Sequence, residues 1–183
     1  MKKGVQLFTF MSLIFISIIS DKNLVKVKAE SSLKDQSIIQ VDVLINNYDE
    51  DYIKAIELDD GTLIGDHDYV INYLPDNFIS RNTISKYFNY GAWITRDGVI
   101  SLSLDPTLKV RTNKTEKNNA WSVVSSKTQG FASSSYWKNT TPMKLQFDCH
   151  YDKLLGKLKD KWNLEPHRTS TSYQKYLDTN CNP

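Results

Sequence analysis

The stretch Phe88-Asn89-Tyr90-Gly91-Ala92-Trp93-Ile94-Thr95-Arg96-Asp97-Gly98-Val99-Ile100-Ser101-Leu102-Ser103-Leu104 decides the fold class of this 183-residue chain. Phe88, Tyr90, Ala92 and Ile94 alternate up to Arg96. Asp97-Gly98 is a favoured two-residue turn. Ile100, Leu102 and Leu104 then alternate strictly with Ser101 and Ser103. Two such runs joined by Asp-Gly predict a half-buried antiparallel hairpin, apolar on one face and serine-bearing on the other.

Working outward, Ile39, Val41, Val43 and Ile45 give a β-branched alternation from Ile38 to Ile45, read as a strand. Ile53 to Ile64 carries Asp60-Gly61, a second hairpin signal, and Tyr69 to Leu74 reads as a short strand stopped by Pro75. Pro75-Asp76-Asn77 reads as a joint. Downstream, Asn118-Asn119 is expected to cap a helix running to Lys127, with Trp121 and Val124 inward and Gly130 as its stop. Thr141-Pro142 reads as an N-cap and first helical residue. Met143, Phe147, Tyr151, Leu154 and Leu158 follow at helical spacing, with Gly156 dividing two short helices. A last helix is predicted from Thr171 to Asp178. The expected class is α+β, a small antiparallel β-sheet with short helices and one disulfide.

The first residues have another character. Met1-Lys2-Lys3 precedes an apolar run, Val5 to Ile19, about 15 residues long and short of the roughly 20 a membrane-crossing helix needs. Val27-Lys28-Ala29 then offers a cleavage site after Ala29. Residues 1–29 are expected to be a signal peptide and the protein to be secreted from a Gram-positive-type bacterium; an uncleaved anchor is the alternative. No cysteine near the run supports a lipid anchor. Cleavage leaves 154 residues, enough for a core. The remainder holds 18 basic and 20 acidic residues, net −2 against +2 for the whole chain, so net charge does not point to nucleic acid.

Cys149 and Cys181 are the two cysteines of the chain. An even count in an exported chain favours a disulfide. The bridge would close a loop of about 32 residues, a stabilisation of about 3–4 kcal/mol in the chain-entropy model. Charge is unevenly spread. Residues 30–79 hold 12 acidic and 2 basic residues, whereas 80–183 hold 8 acidic and 16 basic. The acidic β-rich N-terminal region, 30–79, and the basic second region, 80–183, are expected to neutralise each other within one fold; the alternative is that the acidic segment docks on and shields a basic surface, as a pro-segment or partner mimic would. Apolar contacts from Ile39, Val41 or Ile64 would supply most of the docking energy, because exposed ion pairs contribute little.

Within 80–183 one ordered set of motifs stands out: Ala92-Trp93-Ile94-Thr95-Arg96-Asp97-Gly98, Ser101-Leu102-Ser103-Leu104 with Pro106, Ala120-Trp121, Gln146-Phe147 with Cys149-His150, Trp162-Asn163-Leu164-Glu165-Pro166, and Cys181-Asn182-Pro183. This set resembles a family of secreted bacterial domains known as domain of unknown function 2599, over about residues 80–183. Thr169 stands where a proline is expected. The resemblance implies secretion and a shared fold, and no reaction.

Two functional readings follow from the residues. The first is a non-enzymatic extracellular module that binds a cell-surface component, glycan or partner protein. Tyr136, Trp137 and Lys138 are its candidate binding residues, since exposed aromatic and basic side chains together suit sugars or an anionic envelope. The second is a small secreted hydrolase in which a rigid, partly exposed His150 acts as general base near Glu165, with Arg168 holding an anion. The lysine run Lys153, Lys157, Lys159, Lys161 reads as a solvated face. His67, His150 and His167 lack zinc spacing, and no phosphate loop, G-x-S-x-G elbow or dinucleotide fingerprint occurs. No metal, cofactor, nucleic-acid partner or membrane span after cleavage is expected.

Overall fold

A computed structural model describes residues 38–58, 60–73 and 81–183. The signal-peptide and Ala29 readings and the Pro75-Asp76-Asn77 joint lie outside the described residues. Five strands form one mixed sheet in the order β2-β1-β3-β4-β5: β1 (Ile39–Asn46), β2 (Tyr69–Tyr73), β3 (Phe88–Arg96), β4 (Val99–Pro106) and β5 (Trp162–Leu164). The β1–β2 pair is parallel and the other three are antiparallel. Among the described residues seven short α-helices accompany the sheet: α1 (Glu50–Lys54), α2 (Arg81–Ile84), α3 (Leu108–Thr112), α4 (Lys114–Val124), α5 (Thr140–Asp152), α6 (Leu154–Leu158) and α7 (Tyr173–Asp178). None of the described helices is long and apolar enough to cross a membrane.

The β3–β4 hairpin turns at Asp97-Gly98 as expected, with Arg96 opposite Val99 and both turn residues at positive φ. Its faces differ from the sequence reading in two ways. A bulge between Phe88 and Tyr90 puts Phe88 in the core cluster of Trp93, Leu102 and Leu104, while Tyr90, Ala92 and Ile94 face the other side. The serine face is also buried: Ser103 is fully covered by protein. A second bulge, between Val43 and Ile45, moves Ile45 out of the alternation begun by Ile39, Val41 and Val43.

Each face of the sheet therefore has its own core. The aromatic one holds Phe88, Trp93, Phe131, Phe147 and Trp162, covered by α4 and α5. The aliphatic one joins Ile39, Val41, Val43, Ile71, Ala92 and Ile94 to Ile53, Ile56 and Ile64 from α1 and the turns after it. Ile39, Val41 and Ile64 are all fully buried, so the acidic segment packs through apolar contact. Arg96 to Asp60, 2.5 Å, is an ion pair joining the two regions. The Asp60-Gly61 turn forms, but its arms reduce to a single bridge, Glu57 to Leu63, because the chain before it is helical.

The helix ends also shift. Asn113, not Asn118-Asn119, caps α4: its side chain accepts from Thr115 N and Glu116 N at 2.9 and 3.1 Å. The helix stops at Val124. Gly130 packs back against that end, where a Cβ would lie 1.8 Å from the Val123 carbonyl oxygen. Asn139, in the left-handed region, precedes α5, which places Pro142 third in the helix. The break between α5 and α6 falls at the extended Lys153, whose Nζ donates to Leu177 O and Asn180 Oδ1. Cys149 of α5 and Cys181, beyond α7, are bridged with Cα atoms 5.6 Å apart; Tyr176 packs beside them.

Candidate functional site

The aliphatic cover ends before the sheet does. Ala92 of β3 pairs with Ser103 of β4, which pairs with Asn163 of β5. Directly opposed residues share a face, so the floor turns from aliphatic to polar along this row. A cavity of about 580 Å³ opens at the Asn163 end of this row. Tyr52, Ile56 and Leu63 wall its upstream side. Leu158, Lys161 and Asn163 line it from the downstream region, as do His150 and Asn182.

Asp105, at the end of β4, organises this wall. The Tyr52 hydroxyl donates to its Oδ2 at 2.7 Å, and Arg111 Nη2 donates to Oδ1 at 3.0 Å. The remaining Arg111 donors go to the carbonyl oxygens of Pro106, Lys157, Lys159 and Asp160 at 2.6–2.8 Å. Arg111 thus holds the segment before β5 onto the end of β4. Burial first, and then the bond to Asp105, push the Tyr52 phenol well above the usual tyrosine range, which keeps it a donor.

Lys161 is the odd member. Its side chain is only 9 % exposed, and its Nζ stands 4.0 Å from Asp105 Oδ2, beyond hydrogen-bond range. The ammonium sits 4.2 Å from the Tyr52 ring centroid and 5.9 Å from that of Tyr90. Among the described residues no acceptor hydrogen-bonds to it. Burial pulls its pKa below the usual lysine range, against the opposing effect of Asp105. Near it, the buried hydroxyls of Tyr90 and Ser103 also have no hydrogen-bond partner among the described residues.

His150 is buried, not partly exposed, and its ring stacks on Trp162 with centroids 6.0 Å apart. Its Nε2 lies 3.3 Å from Asn163 O; a carbonyl only accepts, so Nε2 carries the proton. One turn earlier on α5, Gln146 Oε1 accepts from Glu165 N at 2.7 Å. Asn163 lies in β5, the edge strand, and Glu165 directly follows that strand, so the two α5 side chains cover a sheet edge. Glu165 is buried and ion-paired with Arg168, whose Nη1 donates to Pro183 O at 2.6 Å. Glu165 and Arg168 meet outside the cavity, and His150 alone of the three lines it.

Tyr136 and Trp137 are half-buried against the aromatic core, with Tyr136 edge-on to Trp93 and Trp137 beside Trp121. The Trp137 indole donates to Thr140 Oγ1 at 2.9 Å; Lys138 is exposed. The lysine run is not one solvated face: Lys153 is tied to the end of α7, Lys157 lies over the Tyr151 ring, and Lys161 is inside. No group of three or more His, Cys, Asp or Glu side chains among the described residues is arranged to hold a metal ion.

Sequence reasoning missed Tyr52, Asp105, Lys161 and Asn182. One signal was present: Asp105 continues the Ser101, Ser103 spacing, which marks a polar face ending in a charge. No curated protein and no solved structure matches the chain. Residues 88–183, more than half of the chain, match the model of a family described as protein of unknown function, DUF2599, and the chain belongs to that family.

Proposed function

We propose that this chain is an extracellular, non-enzymatic binding module, and that the cavity lined by Tyr52 and Lys161 receives a component of the cell surface or of a partner. The observation that carries the reading is Lys161: a cation whose side chain is nine-tenths buried at a cavity wall, 4.0 Å from Asp105 and with no hydrogen-bond acceptor among the described residues. A buried charge without an acceptor is costly, and ligand pockets of 300–1,000 Å³ characteristically hold a few such polar groups among apolar walls. Ile56, Leu63 and Leu158 supply those walls. The extracellular setting rests on the signal-peptide reading of residues 1–29.

The groups that a hydrolase would use are engaged in holding the fold. His150 donates to Asn163 O, and Glu165 is neutralised by Arg168. An amide-resolved NMR titration of the secreted protein with solubilised cell-wall fragments and free glycans tests the reading. Binding should move the amides of Tyr52, Lys161 and Asn163. Turnover of any of these substrates, lost on His150→Gln, would overturn it in favour of the hydrolase.

A further inference from the structure

We infer that the cavity recognises a carboxylate, seated on the Lys161 ammonium. This deepens the proposed function and rests on the cavity being the binding site. Among the described residues Lys161 is ion-paired with Asp105, yet each of the Asp105 oxygens already has a closer donor, Tyr52 on Oδ2 and Arg111 on Oδ1. The ammonium keeps three donors, held in place by the Tyr52 and Tyr90 rings. An anion entering the cavity would give them an acceptor in a partly desolvated setting, where a charge-assisted hydrogen bond is strongest.

The charge balance selects a monoanion. Lys161 is the buried cation of the wall. Lys159, Glu57 and Asp160 are exposed residues that also line the cavity and together carry a net negative charge. A phosphate dianion would meet one cation inside and a net charge of −1 from Glu57, Asp160 and Lys159 outside, whereas a carboxylate needs only the single ammonium. The apolar side chains of Ile56, Leu63 and Leu158 suit the body of the ligand. An acidic sugar or the end of a short peptide could present such a carboxylate.

The test is an amide-resolved NMR titration of the secreted protein with two matched pairs. N-acetylmuramic acid is compared with neutral N-acetylglucosamine, and alanyl-alanine with its C-terminal amide. The acidic member of at least one pair should bind about tenfold or more tightly than its neutral partner, which is the scale of one good polar contact, and the pair that responds identifies the source of the carboxylate. Lys161→Met should erase the difference within that pair. The variant should fold, because Asp105 keeps its hydrogen bonds from Tyr52 and Arg111 and methionine is an unbranched side chain that adapts to the space left; Lys161→Arg, which keeps the charge, should preserve the preference for the acid. Equal binding of acid and neutral partner, or tight acid binding by Lys161→Met, would overturn the carboxylate inference while leaving the cavity as a site. Binding that shifts amides elsewhere and spares Tyr52, Lys161 and Asn163 would overturn both readings. So would the absence of binding by all four probes.

Discussion

Residues 38–73 and residues 88–183 occupy one sheet but are built of different materials. The upstream segment contributes an aliphatic core of isoleucine and valine, two strands and one helical turn, without a covalent staple. The family-matched stretch contributes an aromatic core, five of the described helices and the Cys149–Cys181 bridge. The family match begins at Phe88, the first residue of β3, yet β3 has β1 as its neighbour on one side and the Ile39–Val41–Val43 cluster over one face. In this chain the family stretch is thus completed by a strand that lies outside it. The cavity is lined from both regions, with Tyr52 from one and Lys161 from the other.

The comparison breaks most severely if the upstream segment is removed. A chain beginning at residue 81 loses a central strand and exposes Tyr90, Ala92 and Ile94, and it should show no cooperative thermal transition. A sharp transition with dispersed amide resonances from that fragment would mean that the family stretch is self-sufficient. Next in size are substitutions on the two faces. Phe147→Ala should cost about 3–5 kcal/mol and Ile64→Ala about 2–5 kcal/mol. If the faces are one cooperative unit, each lowers a single denaturant midpoint followed alike by tryptophan fluorescence and far-UV circular dichroism; two separated transitions would divide them. Replacing both cysteines by alanine should cost about 2–5 kcal/mol. That loss should release α7 first, seen as faster amide exchange at Tyr176 than at Val41.

The smallest expected effect is at Asp60. Its hydrogen bond from Arg96, then those from Thr62, hold its carboxyl well below its ordinary pKa of 3.8. A carboxyl whose folded pKa is depressed contributes stability that is fully present above the ordinary value and is lost as pH falls below it. Asp60→Asn should therefore leave the midpoint at pH 7 slightly lower and flatten its decline below pH 4. The contrast should shrink in high salt, since Arg96 and Asp60 are both partly exposed. An unchanged acid limb would remove the pair as a link between the regions.

Much of the architecture was legible locally. Asp97-Gly98 requires a turn that few dipeptides make, and the alternation around it sets the strands. The pairing of Cys149 with Cys181 followed from count and setting. The helix ends were less legible. Asn113 and Asn118 are equally good caps by composition, and the choice between them depends on where the helix meets the sheet. Lys153 ends α5 through contacts with α7, twenty-four and twenty-seven residues away.

The α+β class, the β3–β4 hairpin and the disulfide follow from local sequence, because each rests on short-range chemistry or on counting. Which face each residue serves depends on long-range packing. Two bulges moved Phe88 and Ile45 across the sheet, since one extra residue inverts a period of two. Long-range packing also puts Lys161 inside while neighbouring lysines reach solvent or pack elsewhere. That position depends on Arg111 binding the 157–160 carbonyls and on Tyr52 arriving from a distant segment, a coincidence of three parts of the chain that no local spacing encodes.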